Sequence, residues 1–345
     1  MTKLFDFKNG INKKELSEIK DILLNDGIVV LPTETVYGLG ASIYSEVAIN
    51  KIFEAKGRPN DNPLIVHISS MDMLEDIAHE IDYISKKLMN IFWPGPLTII
   101  LPKKNNISNI VSADLDTVGI RMPSGEIMLK IIEFCNVPLA APSANISGRP
   151  SGTNIDDIYD ELNGRVDAIV DGGLADIGIE STVVLVKNNV VNILRPGKIT
   201  TEDIKSLGLE VVENNLNKEE TPEKVLSPGV KYKHYAPSTK AILVYSKTSS
   251  KMVDKINELI EENKDKKVLV IGTNENKNKY NCETLIMGSN LDEISKSIFR
   301  ILRSADKLNA DLIIIEGVES KGIGTAIMNR LIKACSYNYI EVKDD

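Results

Sequence analysis

The sequence predicts an α/β protein in two parts, a mixed sheet with helices followed by a smaller and more regular α/β domain. The chain has 345 residues, more than one ordinary domain usually holds. Short apolar runs alternate with stretches of helical periodicity. A polar segment without periodicity, VENNLNKEETPEK, separates the two parts. We therefore expect domains at residues 1–209 and 240–345, joined by a linker over 210–239.

The first part alternates between the two periodicities. Apolar residues at helical spacing predict helices over 13–25, 47–55 and 71–92. Short apolar runs bounded by Pro, Gly or Asp predict strands over 28–31, 64–68, 97–101, 117–121, 139–141 and 168–170. The runs 182–186 and 190–194 flank a short polar turn and predict a hairpin. Because helices do not separate all of these strands, the sheet should be mixed.

The second part alternates regularly. Apolar runs predict strands over 241–245, 268–271, 284–287 and 312–315, and helices are expected over 252–262 and 325–334. Asn290 and Glu293 stand at the spacing of a capping box, which predicts a further helix after Asn290. Strands and helices in this alternation predict a small open parallel sheet.

Composition and charge limit the classes of function. A net charge of -8 argues against a generally basic protein that coats nucleic acid. The three cysteines are scattered and lack zinc spacing, which favours a reducing compartment. The three histidines are also scattered, so a histidine-built metal site is not expected. No signal peptide and no apolar run of about 20 residues stand out, so we expect a cytoplasmic protein without membrane contact.

Five polar segments adjoin the predicted strands of the first part. They are PTETVYGLG (32–40), KGRPNDNP (56–63), TVGIRMPS (117–124), APSANISGRPSGT (141–153) and ILRPG (193–197). Segments that leave a sheet at its edge can converge on one cleft, and these bring four cations, Lys56, Arg58, Arg121 and Arg195. Cations with hydroxyls and glycine-flanked amides suit phosphate oxygens. The sequence shows no recognisable nucleophile–base set. The cations and hydroxyls of these segments therefore favour phosphoryl or nucleotidyl transfer.

Purely structural roles remain open for the residues of these segments. Arg121 follows an apolar run and should be half buried, so it needs an anion, either a ligand or a carboxylate such as Glu34. Glu34 could equally face a substrate amine. Gly38 and Gly40 are expected to allow a tight backbone turn. Lys56 and Arg58 could be surface charges, Ser143 and Asn145 could cap a turn, and His67 could be a structural histidine.

Taken together, the segments resemble one family. PTETVYGLG, KGRPNDNPLIVHI, WPGPLTIIL, GIRMPS, APSANISGRPSGT, STVV and ILRPGKIT occur in the order typical of the Sua5/YrdC/YwlC family, the L-threonylcarbamoyladenylate synthases. SPGVKYKHYAP (227–237) resembles the linker motif of the long Sua5 form, and GIGTAIMNRLIKA resembles the end of its C-terminal domain. The resemblance implies a YrdC-type twisted mixed sheet with a concave cleft, and a smaller Rossmann-like Sua5 C-terminal domain.

The resemblance also implies a reaction. L-threonine, bicarbonate and ATP would give threonylcarbamoyl-AMP and pyrophosphate, with Mg²⁺ held by the ATP phosphates rather than by a protein metal site. The product would serve the t6A modification of adenosine 37 in tRNA. A downstream transferase complex would be a transient partner, and a weak contact with tRNA is a further expectation.

Individual roles follow from the same resemblance. It implies that L-threonine contacts Thr35, His67, Arg121, Ala141 and Ser181. It implies that ATP contacts Lys56, Arg58, Asn62, Thr117, Ser143, Asn145, Ser151, Arg195, His234 and Tyr235. Lys56 and Arg58 would be catalytic because they would neutralise the triphosphate. We also hypothesise that the linker, with Lys231, Lys233, His234 and Tyr235, closes as a lid over the nucleotide.

Two rival functions have sequence arguments against them. An RNA-binding YrdC-type module without nucleotidyl transfer is disfavoured by the net acidity and by the lack of a basic–aromatic run. A carbamoyl transferase related to hydrogenase maturation factors would carry acylphosphatase and zinc-finger-like segments, and neither is visible in this sequence.

Overall fold

The computed structural model describes residues 1–213 and 234–343. Within them the chain divides into two compact units. The first unit contains residues 1–147 and 151–213, and the second contains residues 148–150 and 234–343. Of the proposed lid motif, residues 227–233, with Lys231 and Lys233, lie outside the described part of the chain.

The first unit is built on a mixed sheet, as the sequence predicts. Its eleven described strands are, in spatial order, β1 (Lys3–Asp6), β8 (Ala168–Asp171), β2 (Val29–Leu31), β3 (Gly38–Ser42), β7 (Leu139–Ala140), β4 (Ile65–His67), β6 (Thr117–Arg121), β5 (Leu97–Pro102), β9 (Thr182–Lys187), β10 (Val190–Arg195) and β11 (Glu210–Glu213). Five neighbouring pairs are parallel and five antiparallel. β9 and β10 form the expected hairpin.

Apart from the helix that follows Gly125, the described helices of the first unit start at polar N-cap side chains. They are α1 (Lys13–Leu24), α2 (Glu46–Lys56), α3 (Met71–Ile77), α4 (Tyr83–Phe92), α5 (Asn109–Ser112), α6 (Glu126–Cys135), α7 (Ile155–Leu162) and α8 (Thr201–Lys205). The single helix expected over 71–92 is two helices. The chain leaves helical geometry at Ala78, which bridges to Lys103, and Asp82 caps a new helix by accepting from the Ser85 amide.

The two faces of the central strands differ in what they bury. Val66, Ile99, Ile120 and Val184 belong to the main core. Because side chains alternate along a strand, their neighbours point to the other face. There Ile65, Ile100 and Val183 form a small separate apolar cluster. Three polar residues share the alternation of that cluster, namely Thr98, His67 and Arg121. A buried polar group therefore lies on the face of the sheet away from the main core.

The second unit has a parallel sheet, as the sequence predicts. The order of its described strands is β14 (Glu283–Gly288), β13 (Val268–Thr273), β15 (Leu312–Glu316), β12 (Ala241–Tyr245) and β16 (Tyr339–Glu341). Its helices are α9 (Ser249–Glu262), α10 (Leu291–Lys307) and α11 (Ile323–Ala334). Asn290 caps α10 by accepting from the Glu293 amide, which is the cap the sequence predicts.

Some elements have no clear signal in the sequence. The strands β1, β3 and β16 and the helices α5, α6, α7 and α8 were not predicted. Residues 210–213, assigned by composition to the linker, form the edge strand β11 beside β10. Among the described residues β11 pairs with β10 alone, and its sequence is two valines between two glutamates. In the described part of the chain, every helix is too short or too polar to cross a bilayer.

Candidate active site

The polar loop of PTETVYGLG is residues 32–37, and its glycines belong to β3. Gly38 and Gly40 are not at a tight turn, which corrects the expectation for them, because neither has a positive φ. They lie in close packing instead. A Cβ on Gly40 would lie 2.9 Å from the Leu31 Cδ1 atom, and one on Gly38 would lie 3.1 Å from the Ala141 Cβ atom. The glycines thus bring the loop close to the chain at Ala141.

Arg121 is the centre of the buried polar group. It ends β6, is 3% exposed, and donates from Nε to the Gly95 carbonyl oxygen at 3.1 Å. Its Nη1 donates to the Thr35 hydroxyl at 2.9 Å. Its Nη2 lies 2.5 Å from Oε1 of Glu34. Arg121 was expected to be half buried, and the structure shows that it is fully buried. Its guanidinium contacts Thr35 and Glu34 of the loop and the backbone of Gly95.

Glu34 is the anion that Arg121 needs. Its Oε1 also accepts from the Ser124 amide at 3.0 Å, and the residue is 8% exposed. Burial raises the pKa of this carboxyl, but the charge of Arg121 and the hydrogen bonds more than offset that, so its pKa lies below the ordinary value. Glu34 therefore stays ionised. Among the described residues its second oxygen, Oε2, has no hydrogen-bond partner.

His67 lies beside Arg121 in the register of β4 and β6. Its Nδ1 is 3.3 Å from the Ile65 carbonyl oxygen, and a carbonyl only accepts, so Nδ1 carries the proton. Burial first, and the neighbouring Arg121 charge second, lower the pKa of His67 to about 3. The imidazole is therefore neutral near neutral pH, and its Nε2 is an acceptor.

Ser181 and Arg195 form a second buried group where β9 begins and β10 ends. The Arg195 guanidinium donates to the Ser181 carbonyl oxygen at 3.1 Å and to its hydroxyl at 3.0 Å. The Thr98 hydroxyl lies 2.8 Å from the same hydroxyl. All three residues are at most 5% exposed. Gly197 permits this approach, because a Cβ there would be 2.4 Å from the Thr182 nitrogen.

Lys56 is not a surface charge. It is 2% exposed, ends α2, and its Nζ donates to the carbonyl oxygens of Ser143 and Asn145, the latter at 2.8 Å. The hydroxyl of Ser143 in turn donates to the Asn145 side-chain oxygen at 2.6 Å. The lysine of the KxR motif thus holds the backbone of the SxN motif in place. Gly57 makes this possible by ending α2 in the left-handed conformation.

Arg58 and Asn62 border this lysine. Nη2 of Arg58 donates to the Asn62 carbonyl oxygen at 3.0 Å, and its guanidinium lies 6.0 Å from the centre of the Phe53 ring. Asn62 is fully buried, and neither atom of its side-chain amide finds a hydrogen-bond partner among residues 1–213 and 234–343. An unsatisfied buried amide is costly, so Asn62 is a candidate for contact with a ligand.

The remaining predicted residues of the first unit are more dispersed. Ser151 donates to Oε1 of Glu180 at 2.5 Å, and both are buried. The Ala141 amide is used, because it donates to the Ile65 carbonyl oxygen at 3.0 Å. Its carbonyl is the group left for a ligand. Thr117 begins β6 on the same face as Arg121 but about 13 Å away from it by the rise of a strand.

The two predicted linker residues belong to the second unit. Tyr235 has a positive φ of 63° and stacks on the ring of Phe299 at 5.1 Å between centres. The Arg330 guanidinium lies 5.9 Å from the centre of the Tyr235 ring. His234 is next to this cluster, 5.6 Å between ring centres. Their contact with ATP stays a prediction.

Sequence reasoning missed Thr33, Thr98 and Glu180 as members of these groups. Thr98 lies in a predicted strand, so the strand period of two could have found it, whereas Thr33 lies in the loop of residues 32–37, where no such period applies. Glu180 had no such signal, because its role depends on a loop that brings it to Ser151.

The arrangement as a whole offers charged donors, neutral acceptors and an open amide, which suits a small zwitterion and an anionic nucleotide.

Two family descriptions match the chain. Residues 21–197 match the Sua5_yciO_yrdC family, described as "Telomere recombination". Residues 199–336 match the Sua5_C family, described as "Threonylcarbamoyl-AMP synthase, C-terminal domain".

Relatives from archaea and bacteria are similar over nearly the whole chain. The threonylcarbamoyl-AMP synthase of Pyrococcus abyssi (strain GE5 / Orsay) is 42% identical, over 99% of this chain and 100% of the relative. That of Bacillus subtilis (strain 168) is 42% identical, over 94% of this chain and 93% of the relative. The crystal structure of P. abyssi Sua5 complexed with L-threonine has a TM-score of 0.94 at 41% identity, covering 99% of this chain and 100% of that one.

Proposed function

The chain belongs to the Sua5/YciO/YrdC family, and we propose that it is a threonylcarbamoyl-AMP synthase, which joins L-threonine, bicarbonate and ATP and releases pyrophosphate. The observation that carries the proposal is the buried Arg121 with neutral acceptors beside it. The name of the P. abyssi relative and its structure with L-threonine support the substrate.

Arg121 can bind the carboxylate of the amino acid. A guanidinium has five N–H donors, and the Gly95 oxygen and the Thr35 hydroxyl accept from two of them. Nη2 forms an ion pair with Glu34 at 2.5 Å but makes no hydrogen bond among the described residues, so both Nη atoms keep N–H groups for the fork that suits a carboxylate. Glu34 keeps the guanidinium in place and offsets part of its charge. His67, neutral with Nε2 as an acceptor, and Thr35 would receive the hydrogen-bond donors of L-threonine.

ATP would contact Arg58 and Asn62, which follow Lys56, and Arg195, which belongs to the group around Ser181. The unsatisfied amide of Asn62 supports a ligand there. Arg58 and Arg195 would meet phosphate oxygens, whereas Lys56 would mainly shape the loop of Ser143. In the part of the chain that is described, no group of three or more His, Cys, Asp or Glu side chains could hold a metal. We propose that Mg²⁺ arrives on the phosphates of ATP.

The chemistry would proceed in two steps. The unprotonated amine of L-threonine attacks the carbon of bicarbonate, from which water leaves, or of carbon dioxide, in which case the nitrogen releases a proton to solvent. A carbamate oxygen then attacks the α-phosphorus of ATP, and the bond to the β-phosphate breaks so that pyrophosphate leaves. The cations would stabilise the charge that develops on the phosphates. Carbamates lose carbon dioxide in water, so excluding solvent would be the task of a lid that includes His234 and Tyr235.

The product would be consumed by a transferase complex that modifies adenosine 37 of tRNA, in the cytoplasm. The test is release of pyrophosphate by the purified full-length protein. We expect release only when L-threonine, bicarbonate and ATP with Mg²⁺ are all present. Salt-sensitive binding of RNA without any such release would instead favour the RNA-binding module.

A further inference from the structure

We propose that Thr33 is a positioning residue that fixes the direction of the Thr35 hydroxyl, so that Thr35 presents only an acceptor to the substrate. The inference deepens the proposed function and rests on it. Both threonines are buried, at 6% and 1% exposure, so water does not decide how their hydroxyls point.

The direction follows from counting protons. A threonine hydroxyl has one proton to donate and can accept twice. The Thr33 hydroxyl lies 2.6 Å from the Val36 carbonyl oxygen, which can only accept, so the Thr33 proton is used there. The Thr35 amide donates to the same hydroxyl at 3.2 Å. The Thr33 hydroxyl oxygen can therefore accept one more hydrogen bond, from Thr35, but it has no proton left to donate to Thr35.

The Thr35 hydroxyl must then supply the proton between the two side chains, which are 2.9 Å apart. On its other side it accepts from Nη1 of Arg121 at 2.9 Å. One accepting position remains on Thr35 after these two bonds, and no proton remains. A carboxylate has no proton to give and cannot use that position, whereas an ammonium or hydroxyl group can.

The substrate's orientation follows from this polarity. The carboxylate of the amino acid is directed to the free N–H groups of Arg121, and a donor of the amino acid is directed to Thr35. Without Thr33, the Thr35 proton could turn towards the substrate and the site would lose its discrimination between donor and acceptor. The donor is either the amine or the β-hydroxyl of L-threonine, which the experiment below separates.

The experiment is a double-mutant cycle read by titration calorimetry of L-threonine into the full-length protein. We expect Thr33→Val to weaken binding roughly tenfold, the value of about one hydrogen bond. Thr33→Ser, which keeps the hydroxyl, should bind within about twofold of the wild type. In a Thr35→Val background the Thr33→Val change should cost less than about twofold, because the residue it positions is gone.

Three results would overturn the inference: unchanged binding in Thr33→Val, equal losses in Thr33→Ser and Thr33→Val, or additive effects in the double variant. Thr33→Ala removes the same hydroxyl with a smaller side chain and replaces Thr33→Val if that variant does not fold. If the wild type itself does not bind L-threonine, the proposed function fails rather than this inference.

L-2-aminobutyrate, which lacks the β-hydroxyl, identifies the donor. If Thr35 accepts from the β-hydroxyl, Thr33→Val should not weaken binding of this analogue. If Thr35 accepts from the amine, the roughly tenfold loss should persist. Either result supports an acceptor at Thr35. Tighter binding of the analogue to Thr33→Val than to the wild type would contradict it.

Discussion

Replacing Arg121 by lysine should separate the charge of this residue from its shape. Arg121 uses three nitrogens in three directions, to the Gly95 oxygen at 3.1 Å, the Thr35 hydroxyl at 2.9 Å and Glu34 at 2.5 Å. A lysine has one nitrogen at the tip of a flexible chain. It can keep the ion pair with Glu34 but cannot also reach Gly95 or offer a fork to a carboxylate.

The magnitude follows from the contacts that are lost. Loss of the Gly95 and Thr35 hydrogen bonds at about 1 kcal/mol each should lower the free energy of unfolding by about 2 kcal/mol. That is less than the roughly 3–5 kcal/mol typical of removing one partner of a buried ion pair, because the charge on Glu34 stays compensated. Loss of the two-point contact to the substrate carboxylate should weaken L-threonine binding by about 1.5–3 kcal/mol, roughly 10- to 150-fold.

The assay pairs urea denaturation with titration of L-threonine. Arg165→Lys is the matched control, because Arg165 is exposed in the same unit. It should change neither quantity beyond about 0.5 kcal/mol. Wild-type affinity for L-threonine in Arg121→Lys would contradict the proposed binding mode, since it would show that Arg121 does not contact the carboxylate. A loss of stability without a loss of affinity would give Arg121 a structural role only.

Three further predictions concern protonation, packing and reactivity. The pKa of His67 is lowered from 6.5 to about 3, so its neutral form stabilises the fold fully above pH 6.5 and that stability, about 5 kcal/mol at most, is lost as pH falls towards 3. His67→Gln should therefore flatten the fall of the unfolding free energy in acid. Gly197→Ala should cost about 2 kcal/mol or more, because its Cβ would be 2.4 Å from the Thr182 nitrogen, and a thermal melt checks this. Burial raises the pKa of Cys135 to about 11, so iodoacetamide should label the half-buried Cys282 first and Cys135 only in denaturant.

The sequence was sufficient to predict those strands whose apolar residues also form the buried side of the sheet. The strand over 117–121 and the hairpin of β9 and β10 were predicted because their apolar residues alternate or run without interruption. The strand β3 was not, because Gly38 and Gly40 are typical of a turn. In the structure these glycines make close packing possible, which depends on Leu31 and Ala141 and is invisible along the chain.

The same contrast holds for the site. The motifs indicated Lys56 and Arg121, and physical reasoning indicated Glu34 as a candidate partner of Arg121, which the 2.5 Å ion pair confirms. The function of Lys56 in holding the Ser143 and Asn145 carbonyl oxygens could not be predicted, because it joins residues far apart in sequence. Composition alone suggested a solvated charge.

Formation of a threonylcarbamoyl adenylate by this protein is tested most directly by mass spectrometry of the product formed with isotopically labelled bicarbonate. We expect an adenylate of L-threonine that carries the labelled carbon and forms together with pyrophosphate. An unlabelled threonyl adenylate formed without bicarbonate, or no adenylate with all three substrates present, would show that the protein does not catalyse this reaction.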